Sequence, residues 1–78
     1  MAELFGDRYT VAEKIDYLTA ELRERRCLRL GDLFRAMRHR YEMVCTFLAL
    51  LELIRLRQIR AQQAGPFGEI EIVPAEES

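Results

Sequence analysis

The stretch TFLALLELIRL, residues 46–56, carries seven bulky apolar side chains among eleven residues: Phe47, Leu48, Leu50, Leu51, Leu53, Ile54 and Leu56. One face of a helix hides only some of them. A helix from about Tyr41 to Leu56 places Met43, Val44, Phe47, Leu48, Leu50, Leu51 and Ile54 within an arc of roughly 160°. That arc is the expected core face. Cys45, Thr46, Ala49, Glu52, Leu53 and Leu56 fall on the other side. Leu56 sits near the helix end, where it can fold back onto the domain. Leu53 is harder to cover within a monomer.

Towards the N-terminus, RHR at 38–40 is a polar break. Before it, Leu30, Leu33, Phe34 and Met37 recur at i, i+3, i+4 and i+7, which predicts a short amphipathic helix over about 31–38. CLRL (27–30) alternates weakly and reads as a short extended piece. TVAE (10–13) is a capping box: the Thr10 hydroxyl accepts from the Glu13 amide and the Glu13 carboxylate reaches back. Val11, Ile15, Leu18 and Leu22 follow at helical spacing, and RERR (23–26) puts cations at the end the helix dipole favours. The first helix is therefore expected over about 10–25, after a lead-in at 1–9.

Towards the C-terminus the period changes to two. IRAQQ (59–63) and GEIEIV (68–73) alternate, with the turn signal AGPF between them. Pairing Ile59 with Ile72 and Ala61 with Ile70 sets Arg60 opposite Glu71 and leaves a four-residue loop, 64–67. Such a cross-strand charge pair contributes roughly 0.2–1 kcal/mol. Pro74 opens a polar, disordered tail, 74–78. The expected fold class is α+β: a small winged-helix domain over 10–73, three helices followed by a C-terminal β-hairpin wing.

Seventy-eight residues make one domain with a small core. No apolar run is long enough to span a bilayer. The N-terminus lacks a basic region followed by an apolar stretch, so no secretory signal is expected and the cytoplasm is the expected compartment. The net charge of −1 hides ten arginines against four acids in residues 23–60. Most of these are expected on solvated helix faces.

Cys27 and Cys45 form no C-x-x-C pair and His39 is the single histidine, so no metal site is expected. Both cysteines are expected to be buried or half-buried thiols rather than a disulfide. Ser78 is the sole serine, and neither a G-x-G-x-x-G nor a P-loop motif is present. No catalytic residue, cofactor site or enzymatic activity is expected.

A winged helix binds either DNA or protein. The outward side assigned above to the third helix offers Cys45, Thr46, Ala49, Glu52, Leu53 and Leu56, which cannot read base edges, and the wing carries Glu69 and Glu71. A DNA-binding transcriptional regulator is the alternative reading. Arg35, Arg38 and Arg40 leave at most weak nonspecific DNA contact. Apolar residues beside a hairpin edge suit a protein partner better, with Leu53 and Phe67 as anchors.

TFLALLELIRL followed by IRAQQAGPFGEIEI closely resembles the C-terminal end of bacterial segregation and condensation protein A (ScpA), the bacterial kleisin family. The residues that carry the resemblance are Phe47 to Leu53, Gln63, Pro66-Phe67-Gly68, and Ile70 with Ile72; RYTVAEKIDYL resembles the family's entry into this domain. The chain departs from the family at Ala64-Gly65, where acids are frequent, and in its Arg-rich 35–40 segment.

The resemblance implies a kleisin C-terminal winged helix that docks on the ATPase head of an SMC (structural maintenance of chromosomes) protein. It implies a place in the bacterial condensin complex, at the nucleoid, serving chromosome condensation and segregation. The family's N-terminal part for a second SMC and its middle part for the ScpB partner do not fit in 78 residues, so the chain would be a fragment. Leu53, Leu56, Gln63 and Phe67 are the expected head-contacting residues. Leu53→Arg is then expected to abolish head binding with the fold intact. Phe47→Ala is expected to cost roughly 3–5 kcal/mol as a core truncation.

Overall fold

Thr10 caps the first helix as its sequence requires. Its Oγ1 accepts from the Glu13 amide at 3.1 Å, and α1 runs Val11–Arg25. These positions come from a computed structural model, which describes residues 10–63 and 65–75. The lead-in at 1–9 and the tail positions 76–78 lie outside the described residues. α1 stops where Arg26 turns left-handed (φ 67°) and its amide reaches the Leu22 carbonyl at 2.9 Å. Cys27 then follows, exposed rather than half-buried as expected.

CLRL does extend: β1 is Leu28–Arg29. α2 is Leu30–Arg35, shorter than the periodicity predicts because Ala36 and Met37 close it in tight turns onto Asp32 and Phe34. Met37 still packs inside. α3 is Arg40–Arg55, followed by β2 (Ile59–Gln63) and β3 (Ile70–Pro74). The strands form one antiparallel sheet in the order β1-β3-β2. The result is the expected α+β winged-helix arrangement, with β1 added as a third strand.

The hairpin register differs from the expected one by two residues. Ile59 faces Pro74, Ala61 faces Ile72 and Gln63 faces Ile70. A shift of two keeps every side chain on its own face, so the alternation cannot tell the two registers apart. The turn decides. Gly68 donates to the Gly65 carbonyl at 3.2 Å around Pro66-Phe67, and Gln63 Nε2 donates to the Gly68 carbonyl at 3.1 Å. These bonds hold residues 65–69 outside the ladder, and Gly65 takes the φ of +120° that favours glycine. Arg60 therefore faces Val73, and Glu71 instead accepts from Gln62 Nε2 at 3.3 Å. Pro74 belongs to β3 rather than to the tail, and the Ala75 amide donates to the Gln58 carbonyl at 3.0 Å.

The core is built from Leu18 and Leu22 of α1, Leu28 of β1, Ala49, Leu50 and Leu53 of α3, and Ile59 and Ile72 of the sheet. α1 and α3 are also tied by Lys14 and Glu42, 2.8 Å apart, with both side chains largely covered. Lys14 Nζ lies 5.2 Å from the centre of the Tyr17 ring. On the wing side, Arg35 of α2 reaches Asp32 at 2.7 Å and Glu69 at 3.8 Å.

Candidate partner-binding face

α3 is turned the other way round from its expected orientation. Its buried residues are Cys45, Thr46, Ala49, Leu50 and Leu53. Of the seven residues in the expected core arc, Leu50 alone is inside. Met43, Val44, Phe47, Leu48, Leu51 and Ile54 are 36–50% exposed, Phe47 the most.

The reason lies in size. Glu42, Cys45, Thr46, Ala49 and Leu53 line the side that meets α1, as the Lys14–Glu42 contact marks. Short side chains there let the two helix backbones approach closely. Thr46 satisfies its buried hydroxyl within the helix, donating to the Glu42 carbonyl at 2.8 Å. Burial pushes the Cys45 thiol above its ordinary pKa, because the thiolate would lose solvation.

Leu53 is therefore a core residue, 1% exposed, between Leu22 and Ile59 beside a small cavity. Its expected place on an exposed docking surface is corrected. The signal that would have found the answer is that α3 is apolar on nearly its whole circumference. The period of such a helix does not tell which side is the core, and the side with small residues is the one that fits against a neighbouring helix.

The outer face of α3 is continuous with α2. Phe34 joins Met43, Val44, Phe47 and Leu48 around a shallow hollow lined almost wholly by carbon. Leu51 and Ile54 extend the stripe towards the helix end, where Arg55 forms two hydrogen bonds with Glu52, 3.2 and 2.5 Å. Those bonds hold the Glu52 carboxyl below its usual range and raise the Arg55 guanidinium. An exposed apolar stripe this continuous, edged by polar groups, is the mark of an interaction surface.

The other expected contact residues are dispersed. Leu56 is 47% exposed just beyond α3, whose end is closed by Arg57 in a left-handed conformation (φ 62°). Phe67 stands wholly exposed at the wing tip, and Gln63 is exposed at the end of β2 next to the wing loop. Gln63 and Phe67 share the loop that the Gln63–Gly68 bond shapes. The length of β2, Ile59–Gln63, lies between Leu56 and that loop. Among the described residues no group of three or more His, Cys, Asp or Glu is placed to hold a metal ion. Among them, too, no helix is long and apolar enough to cross a membrane.

Three helices and a small antiparallel sheet with a wing define a winged-helix-like domain, one whose third helix leaves an apolar face exposed. A family model described as Segregation and condensation protein ScpA matches residues 8–74. The chain belongs to this ScpA family. It is 38% identical over 68 residues to Segregation and condensation protein A of Lactococcus lactis subsp. lactis, covering 87% of this chain and 28% of the relative. It is 37% identical to that of Caldanaerobacter subterraneus subsp. tengcongensis (87% of this chain, 28% of the relative). With that of Clostridium perfringens it shares 36% identity (82% and 26%). The chain thus spans about a quarter of the length of the curated relatives it matches. No solved structure matches it.

Proposed function

We propose that this domain is a non-enzymatic docking module of chromosome segregation and condensation that binds the ATPase head of an SMC protein through the outer face of α3. The observation that carries the reading is the row Met43, Val44, Phe47, Leu48, Leu51 and Ile54, all large, apolar and exposed on one helix. Water contact along that row is costly, and a partner that covers it recovers roughly 25 cal/mol per Å² of apolar area. Phe67 and Leu56 are secondary contacts at the wing tip and the helix end. Leu53 contributes from beneath, by holding α3 in place.

The surface argues for protein over DNA. A recognition helix that reads bases presents Arg, Asn or Gln to the groove, whereas this one presents leucines and a phenylalanine. The wing adds Glu69 and Glu71, which repel phosphate. In the longer protein, the head contact of this domain and a second SMC contact elsewhere in the chain would close a ring around DNA. ScpB would bind a middle region absent from these residues.

The test is a titration of the domain against an SMC ATPase head. Phe47→Asp is expected to weaken binding at least about a hundredfold, since a carboxylate would be desolvated in an apolar contact. Its circular dichroism should match the parent. Unchanged affinity removes the α3 face from the interface.

A further inference from the structure

The apolar stripe has a cationic head. Arg40 shares the helix face of Met43, Val44, Phe47 and Leu51, being three, four, seven and eleven residues before them. Arg38 lies in the turn just before α3, and both side chains are exposed. Neither forms an ion pair with any described residue. At the other end of the same helix Arg55 is neutralised by Glu52. The two ends of one stripe thus differ: one positive charge is answered within the helix and the other is not.

That arrangement works against the helix. The first turn of a helix favours anions, and a cation there is destabilising. The N-cap His39 gives no side-chain capping bond, and the first-turn acid, Glu42, is engaged by Lys14 at 2.8 Å. Arg40 thus adds nothing to the helix through the dipole and stands exposed in line with the apolar row.

Resting on the docking reading above, we infer that the SMC head surface covering α3 is apolar along its length and carries carboxylates at one end, facing Arg38 and Arg40. This fixes the direction in which the partner lies on α3: its acidic end meets the start of the helix. Protein carboxylates fit better than nucleic-acid phosphates, because Arg40 is continuous with a carbon surface that a phosphate backbone does not cover.

The test compares the parent chain, Phe47→Asp and the double variant Arg38→Glu/Arg40→Glu, titrated against an SMC ATPase head at low and high salt and against duplex DNA. The double variant is expected to lose at least about tenfold in head affinity at low ionic strength, mostly through slower association, with the gap narrowing as salt rises. Replacing the facing carboxylates of the head by lysine is expected to restore it. If Phe47→Asp abolishes head binding while the double variant binds as the parent does, the docking face stands and the charge assignment falls. Should the double variant lose DNA binding with head binding intact, the arginines serve nucleic acid and the inference is overturned. Should neither variant alter head binding, both readings fall.

Discussion

The two faces of α3 are both apolar, yet they are built differently. The inner face uses Cys45, Thr46, Ala49, Leu50 and Leu53, and the outer face uses Met43, Val44, Phe47, Leu48, Leu51 and Ile54. The inner set joins the small residues Cys45, Thr46 and Ala49 to two core leucines, Leu50 and Leu53. The outer set is large throughout and packs against no other helix along most of its length. Total hydrophobicity is thus a poor guide to which side of a helix is the core. Side-chain volume against the available gap is the better one.

Three changes test this contrast, from the largest expected effect to the smallest. Leu53→Ala empties a fully enclosed site and is expected to cost about 2–5 kcal/mol. In a domain this small the loss would appear in urea melts as a much lower midpoint. A cost below about 1 kcal/mol would mean Leu53 is not the inner anchor. Ala49→Leu is expected to cost about 1–3 kcal/mol by forcing α1 and α3 apart, again read from the midpoint. A neutral result would break the argument from backbone approach. Phe47→Ser is expected to change stability by no more than about 0.5 kcal/mol, as exposed substitutions do. A thermal midpoint well below the parent's would return Phe47 to the core.

Much of the fold was legible in the residues. Thr10 and Glu13 fixed the start of α1, the period of two located both strands, and the motif around Pro66-Phe67-Gly68 carried the family resemblance. Two things were not legible, for physical reasons. The strand register is degenerate under a shift of two, and the bond from Gln63 to Gly68 that breaks the degeneracy is a side-chain contact within the turn that the alternation does not carry. The orientation of α3 depends on its neighbour: Lys14 and Glu42 meet across 28 positions of sequence, which no local period reveals. Of the expected contact residues, Leu56, Gln63 and Phe67 are exposed and Leu53 is not.

The sheet order has a consequence for synthesis. β3 lies between β1 and β2, and its Ile72 faces both Leu28 and Ala61. A ribosome delivers the two flanking strands before the one that joins them. Until residues 70–74 emerge, β1 and β2 lack the strand that both pair with. The sheet therefore closes only when the middle strand joins the other two.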